Sequence, residues 1–264
     1  MDLQLRGKRI LVTGSTAGIG LAIAKSLAAE GASVIVNGRT QGRIDAAIAE
    51  ITTEFGNAEV TGVAADISTA EGASAVTEFA NEIDILVNNM GIFELKEFAD
   101  IADEDWLRIF EANVMSGIRL SRHYLPKMLA KDWGRIIFLS SESGINIPVE
   151  MIHYGMTKTA QLSVSRGLAE LTAGTNVTVN SVLPGPTASE GVGSFMEQVA
   201  EQQSVSVADA EADFFKTVRP TSLIKRFAQP KEIGDFVAFV ASPLSGAING
   251  AALKVDGGVV KSII

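Results

Sequence analysis

Short apolar runs alternate with stretches of helical periodicity along the whole chain, and this alternation restricts the fold more than any other feature. Seven runs rich in β-branched residues predict strands, at 10–13, 33–37, 59–64, 83–88, 135–140, 177–183 and 251–255. Several of these runs are apolar throughout, which is typical of parallel strands buried on both faces. Between them, Ile44, Ile48 and Ile51 exemplify apolar residues at helical spacing. The alternation therefore predicts an α/β protein with one doubly wound parallel sheet.

The length of the chain and one long connection predict the domain organisation. The 264 residues, of which 47% are hydrophobic, suit a single domain spanning 1–264 and exclude intrinsic disorder. Residues 188–229 contain no predicted strand, although most strand–helix connections have about 2–6 residues. Apolar residues there, among them Phe195 and Phe214, suit one or two short amphipathic helices. We expect a helical lid before the penultimate helix; an insert used for packing or for an oligomer contact is the alternative.

Composition excludes several classes of function. The formal net charge of −9 makes nucleic-acid binding an unfavourable interpretation, because the protein repels a phosphate backbone. The chain has no cysteine and only two histidines, so we expect neither thiolate chemistry nor a metal site. No apolar run is long enough to span a membrane, and the first residues lack the apolar stretch of a signal peptide. We therefore expect a cytoplasmic protein without membrane or nucleic-acid partners.

A glycine-rich turn, T-G-S-T-A-G-I-G at 13–20, follows the first predicted strand and leads into a helix. Backbone N–H groups and the helix dipole favour an anion at such a helix start. Glycines also let the backbone approach a pyrophosphate closely. The turn therefore predicts a dinucleotide phosphate site, for which the candidate residues are Gly14, Ser15, Thr16, Gly18, Ile19 and Gly20.

The end of the second predicted strand indicates which dinucleotide binds. An acidic residue there favours NAD, whereas an arginine accommodates the 2′-phosphate of NADP. The sequence has no carboxylate at this point, and Arg39 is the first basic residue after the strand. The planar guanidinium can bond two phosphate oxygens, so NADP(H) is favoured over NAD(H).

Tyr154 and Lys158 lie four residues apart at the start of a predicted helix and therefore share one helix face. A phenol has a pKa near 10, and a neighbouring cation lowers that pKa. The pair is thus a candidate general acid–base. Ser141 follows the fifth predicted strand, at the sheet edge where α/β proteins bind ligands, and could donate to a substrate oxygen.

Taken together, these residues resemble the short-chain dehydrogenase/reductase family over nearly the whole chain. Besides the glycine turn, Ser141, Tyr154 and Lys158, the resemblance rests on segments at family spacing: Asp66-Ile67, Asn88-Asn89-Met90-Gly91, Asn113, Asn180 to Thr187, and Val255-Asp256-Gly257-Gly258. The resemblance implies a Rossmann-type dinucleotide-binding domain and a homo-oligomer, either a dimer or a tetramer.

The family resemblance also implies a role for each motif. Tyr154 would exchange a proton with the carbonyl or alcohol oxygen, Lys158 would lower the pKa of Tyr154, and Ser141 would orient the substrate oxygen. Asn113 would hold a water that links Lys158 to solvent. Asp66 and Ile67 would contact the adenine, and the other cofactor-binding positions implied are Asn88, Gly91, Pro184, Gly185 and Thr187.

The interpretation is an NADP-preferring oxidoreductase that interconverts a carbonyl and a secondary alcohol. A catalytically silent NADP(H)-binding regulatory protein, or an epimerase or dehydratase on the same fold, is the alternative. Ser143 and Met151 are candidate substrate contacts. Glu142 is expected to be a solvated or capping acid, and His153 to point about 100° away from Tyr154 on the helix.

Overall fold

A seven-stranded parallel sheet forms the centre of the protein. The computed structural model describes residues 1–263, apart from the side chains at 190, 191, 194 and 195. The strands are β1 Arg9–Val12, β2 Ser33–Gly38, β3 Val60–Ala64, β4 Ile85–Asn88, β5 Gly134–Leu139, β6 Val177–Pro184 and β7 Ala252–Val255. Their order across the sheet is β3-β2-β1-β4-β5-β6-β7. The predicted doubly wound sheet is confirmed, with every predicted strand present and its ends within two residues.

The order of the strands reverses beside β1, and this reversal creates the crevice of the fold. Ile10 in β1 pairs with Val34 of β2 on one side and with Ile85 of β4 on the other. Connections from these strands leave in opposite directions along the sheet, so the loops after β1 and β4 separate. Ligands of open α/β sheets bind in such a crevice, at the carboxyl ends of the strands.

Nine α-helices accompany the sheet within the described residues. They are α1 Gly18–Ala29, α2 Gln41–Glu54, α3 Ala70–Phe79, α4 Asp103–Phe110, α5 Ser116–Ala130, α6 Ile152–Glu170, α7 Glu190–Gln203, α8 Val207–Thr217 and α9 Pro230–Ala241. Apolar side chains of α1, α2 and α9 pack on one face of the sheet, and those of α3, α5 and α6 pack on the other. None of the helices described is long and apolar enough to cross a bilayer.

The insert at 188–229 consists of the two helices α7 and α8, as predicted. It has a small apolar core of its own, in which the Phe214 and Phe215 rings contact Phe227 at centroid distances of 5.2 and 5.0 Å. A parallel bridge between Thr187 and Ala228 brings the two ends of the insert together. The insert lies directly before α9, which is followed by one further helix, the short 3-10 helix Pro243–Ser245, in the described part of the chain. Phe195, which the sequence analysis named as an apolar residue of the insert, has its side chain outside the described part of the structure.

Candidate active site

A cavity of about 810 Å³ opens at the carboxyl ends of β4, β5 and β6, and half of the predicted site residues line it. The predicted residues in its wall are Ile19, Gly91, Ser141, Ser143, Met151, Tyr154, Lys158, Pro184, Gly185 and Thr187. Val192, Met196 and Phe214 of the insert form part of the same wall. The fold therefore assembles one pocket from segments that are far apart in sequence.

Ser141 and Tyr154 form the polar centre of this cavity. Ser141 lies two residues after the end of β5, and Tyr154 lies in the first turn of α6. The Ser141 hydroxyl lowers the pKa of Tyr154, and the Ser141 oxygen accepts from the Ser143 N–H at 3.1 Å. The Tyr154 ring packs edge-on against Phe93, with centroids 6.2 Å apart. Both hydroxyls are thus held where one ligand oxygen can contact them together.

Burial raises the pKa of Tyr154 to about 12, against a smaller lowering by the Ser141 hydrogen bond. The charge of Glu142 raises this pKa as well, and the charge of Arg219 lowers it. The sequence analysis expected Lys158 to lower the pKa of Tyr154, but in the protein without cofactor the pKa of Tyr154 is raised. The Lys158 Nζ lies 5.6 Å from the ring centroid of Tyr154, and desolvation of the phenolate dominates. Tyr154 is consequently in its acid form at neutral pH.

Lys158 is buried, and its desolvation lowers the pKa to about 7. Its Nζ donates to the Leu139 carbonyl at 2.7 Å and to Gln161 Oε1 at 3.2 Å. Gly91 lies close by, since a Cβ there would stand 3.4 Å from the Nζ. A lysine with this pKa exchanges its proton readily near neutrality, so it is suited to proton transfer as well as to binding.

Gln161 connects Lys158 to Asn113, and the sequence reasoning missed it. Its Nε2 donates to the backbone carbonyl of Asn113 at 2.6 Å while its Oε1 accepts from Lys158. Asn113 lies in a π-helical turn, Glu111–Met115, between α4 and α5, and such turns are frequent at functional sites. The Asn113 side chain itself pairs with both backbone groups of Ile92. The sequence did contain a signal for Gln161, because it lies three residues after Lys158 and therefore on the same face of the helix.

The glycine turn has the geometry that close approach of a phosphate requires. Gly14 and Gly18 have φ values of 59° and 54°, a region that side chains disfavour. A Cβ on Gly20 would lie 2.3 Å from the Gly14 carbonyl oxygen, so only glycine lets α1 pack this close to β1. Helix α1 starts at Gly18 and has no acidic residue in its first turn. Its N-terminus therefore favours an anion.

A second cavity, of about 190 Å³, adjoins the glycine turn and contains the residues predicted for the adenosine half of a dinucleotide. Gly14, Thr16, Arg39, Asp66 and Ile67 all line it. Arg43 also lines it and was not predicted, although it lies one helical turn beyond Arg39. Two guanidinium groups thus border the cavity where the sequence predicted one.

The end of β2, Asn37-Gly38, has no acid, the residue type that NAD-binding proteins of this fold use to bind the ribose. Asn37 is buried, and its Nδ2 donates to the carbonyls of Val63 and Ala65 at 3.1 and 3.2 Å. Its Oδ1 accepts weakly from the Gly14 N–H at 3.4 Å. Asn37 therefore ties β3 to the glycine turn and presents no carboxylate to a ribose.

Four of the predicted cofactor residues line neither cavity: Gly18 and Gly20 of the glycine turn, and the buried Ser15 and Asn88. Ser15 is buried, with its hydroxyl donating to the Val12 carbonyl at 2.7 Å and its N–H to the Asn37 carbonyl at 2.9 Å. Asn88 is also buried and directs its Nδ2 towards Ser121 of α5 at 3.3 Å. The side chains of Ser15 and Asn88 thus bond to neighbouring segments of the protein and do not face either cavity. Asn89 lines the large cavity instead.

Glu142 contradicts its prediction as a solvated or capping acid. It is buried in the cavity wall and forms an ion pair with Arg219, whose Nε donates to Oε1 at 2.9 Å. His153 behaves as predicted: it is buried outside the cavity and packs edge-on against Trp106 at 5.9 Å. Burial lowers the pKa of His153, which keeps the ring neutral.

The residues present fit a dinucleotide. The glycine cradle and the helix N-terminus suit its diphosphate, the small cavity its adenosine end, and the backbone at 184–187 its nicotinamide end. A Cβ on Gly185 would lie 2.4 Å from the Asp256 carbonyl oxygen, so this segment also needs glycine. Within residues 1–263, no group of three or more His, Asp or Glu side chains could hold a metal ion.

Comparison with known proteins agrees with this geometry. The sequence model described as short chain dehydrogenase matches residues 8–200 of the chain. The chain belongs to the short-chain dehydrogenase family. Membership in this family of oxidoreductases accounts for the parallel sheet, the glycine turn and the Ser141, Tyr154 and Lys158 constellation in one chain.

Relatives within the family align over the full length. The uncharacterized oxidoreductase YvaG of Bacillus subtilis is 52% identical over 263 residues, covering 100% of both chains. The D-beta-hydroxybutyrate dehydrogenase of Cupriavidus necator is 36% identical over 97% of this chain and 99% of its own. Among solved structures, the L-sorbose reductase of Gluconobacter frateurii, complexed with NADPH and L-sorbose, superposes with a TM-score of 0.93 at 32% identity, covering 100% of both chains.

Proposed function

We propose that the protein is an NADPH-preferring carbonyl reductase that interconverts a ketone and a secondary alcohol, with Tyr154 as the general acid–base. The observation that carries the proposal is the convergence of three groups on one cavity. Ser141 and Tyr154 both line its wall, and the buried amine of Lys158, which lines it too, lies one helical turn from Tyr154. This arrangement can bind one carbonyl oxygen and deliver a proton to it.

The assignment of NADPH rests on the small cavity and on a relative. Arg39 and Arg43 border the cavity where the 2′-phosphate would lie, and Asn37 offers no carboxylate to a ribose. The L-sorbose reductase of the same family is complexed with NADPH. The diphosphate would lie on the backbone of Gly14, Thr16 and Gly18. When bound, the nicotinamide supplies the hydride for the carbonyl carbon.

The chain's own residues handle the proton. Tyr154, with a pKa of about 12, carries its proton at neutral pH and donates it to the carbonyl oxygen, while Ser141 orients that oxygen. Lys158, with a pKa of about 7, can replace the proton on Tyr154, and Gln161 holds the amine in position.

The insert supports a role for α7 and α8 as a lid over the substrate. Val192, Met196 and Phe214 contribute to the cavity wall, while Met196 also packs in the separate core of the insert. A segment that packs mainly on itself can move relative to the sheet. The named substrates of the two characterised relatives, D-beta-hydroxybutyrate and L-sorbose, differ in charge and size. The family alone therefore does not assign the substrate.

The test is a Tyr154→Phe substitution assayed by NADPH oxidation with a panel of ketones. Loss of the general acid is expected to lower kcat by about 10²–10⁴-fold. Tyr124→Phe is a matched control, because Tyr124 is the only other tyrosine and bonds the Ala80 carbonyl far from the cavity. Equal activity of the Tyr154→Phe protein and the wild type on an accepted ketone would refute the proposed role.

A further inference from the structure

A buried ion pair, Glu142–Arg219, links the insert to the catalytic edge of the sheet. Glu142 directly follows Ser141, and Arg219 follows the end of α8. Their residues are only 3% and 8% exposed, and the Arg219 Nε donates to Glu142 Oε1 at 2.9 Å. Both side chains line the large cavity. The pair therefore forms part of the wall that a substrate would contact.

One oxygen of this pair is left without a partner. Glu142 Oε1 accepts from Arg219 and from the Ser143 hydroxyl, at 2.9 and 3.2 Å. Glu142 Oε2 is buried and accepts no hydrogen bond from any residue that the structure describes. A buried acceptor without a donor is unfavourable, and more so when it carries charge. A contribution to folding stability does not explain the buried ion pair either, because apolar residues can often replace such a pair without loss of stability.

The charges around this oxygen decide what kind of group it can accept. Arg219 is shared between Glu142 and Glu150, whose Oε1 lies 3.6 Å from Nη1, and Nη1 also donates to the Val218 carbonyl. Asp256 adds a further negative charge near Glu142 and raises its pKa. One cation thus serves several carboxylates. A carboxylate or phosphate on the substrate would be repelled here. A neutral hydroxyl could donate to Oε2 after a small displacement of the wall, which covers this atom in the unliganded protein.

The position of the pair relates that hydroxyl to the reacting carbonyl. Ser141 and Glu142 are consecutive, with Cα atoms about 3.8 Å apart, and both line the cavity. The charges of Glu142 and Arg219 also shift the pKa of Tyr154, in opposite directions. A carbonyl oxygen bound by Ser141 and Tyr154 would leave its neighbouring carbons beside Glu142.

We propose that Glu142 Oε2, held in place by Arg219, accepts a hydrogen bond from a substrate hydroxyl next to the carbonyl, so that the enzyme acts on neutral hydroxy ketones. This assignment rests on the proposed carbonyl reduction. It makes Glu142 a specificity-determining residue and Arg219 the residue that positions it. The mainly apolar remainder of the wall, including Val149, Met151 and Phe214, would contact the carbon chain of the substrate.

The experiment compares three ketones that differ in one group: 1-hydroxy-2-butanone, 1-methoxy-2-butanone and 2-butanone. The methoxy compound carries an oxygen at the same position as the hydroxy compound but cannot donate a hydrogen bond. A hydrogen bond to a charged acceptor predicts a kcat/KM about 10- to 100-fold higher for the hydroxy compound than for the methoxy compound. Dissociation constants from saturation-transfer NMR titrations of the enzyme with NADP⁺ give the same comparison without turnover.

The variant is Glu142→Leu/Arg219→Met, which removes the acceptor without leaving an unpaired buried charge. The preference for the hydroxy compound over the methoxy compound is expected to vanish, so that the variant turns over both with similar kcat/KM. The matched control is Glu170→Leu/Arg166→Met, the same substitutions in an exposed ion pair of α6. The control should keep the preference. Circular dichroism and melting curves establish that each variant is folded.

Each outcome bears on one claim only. Turnover of all three ketones by the wild type with equal kcat/KM and equal affinity would overturn the role of Glu142 and leave the reductase proposal standing. A preference that survives in a folded double variant would overturn it as well. Selective binding of the hydroxy compound without turnover of any ketone would support Glu142 and contradict the proposed reduction. The wild-type affinities decide the matter even if the double variant does not fold.

Discussion

The buried amine of Lys158 should make the stability of the protein depend on pH. Desolvation lowers its pKa from 10.5 in the unfolded chain to about 7 in the folded protein. Between these two values the unfolded chain binds more protons than the folded protein. The free energy of unfolding therefore rises with pH across this window, and the contribution of Lys158 is least favourable below pH 7.

The size of the effect follows from the shift. Each pKa unit corresponds to about 1.4 kcal/mol, so holding Lys158 in the folded protein costs roughly 4 kcal/mol at pH 7 and roughly 2 kcal/mol at pH 9. We predict that the wild type gains about 2 kcal/mol more than Lys158→Met when the pH is raised from 7 to 9. Because we compare how the free energy of unfolding changes with pH in the two proteins, the pH-independent effects of the substitution on packing and hydrogen bonding cancel.

Urea unfolding without cofactor at both pH values, at one protein concentration, measures this difference. Lys261→Met is the control, because Lys261 is exposed and should show the wild-type slope. Tyr154 does not interfere below pH 9, since its pKa is raised to about 12. Parallel pH dependence in the wild type and Lys158→Met would show that the amine is not desolvated as the structure has it, and would refute the reasoning.

Two other predictions concern cofactor choice and the proton path. Arg39→Ala should raise the KM for NADPH about 10- to 100-fold, because a charge-assisted bond to the 2′-phosphate is lost, and leave the KM for NADH nearly unchanged; equal losses for both cofactors would contradict the assignment. Gln161→Leu removes an acceptor of the Lys158 amine and should move the limb of the pH–rate profile that belongs to Lys158 to lower pH. A profile that keeps its position while kcat falls would mean that Gln161 has only a packing role.

Local patterns in the sequence were sufficient for much of the site. The i, i+4 spacing of Tyr154 and Lys158 determines that they share a helix face wherever the helix lies. The glycine spacing at 13–20 determines a turn that only small residues permit, as the close contact between Gly20 and Gly14 shows. These features depend on neighbours in the chain, and a sequence pattern records them directly.

Burial and partners over long separations were not accessible in the same way. Ser15 and Asn88 belong to the expected motifs, yet packing against Asn37 and Ser121 turns both inward. Nothing near Glu142 in the sequence indicates Arg219, which belongs to the insert. The assignment of Glu142 as a solvated acid failed because an ion pair between distant segments excludes water from it.

The sequence by itself determined the parallel sheet, the glycine turn and the shared helix face of Tyr154 and Lys158, because periodicity and spacing are local properties of the chain. Only the tertiary structure decided the protonation states of that pair and the polar groups that a substrate meets. Burial sets the pKa of Lys158 near 7 and that of Tyr154 near 12, against the lowering of the tyrosine pKa that the pairing predicted. Desolvation depends on every segment packed around a group, and those segments come together only in the fold.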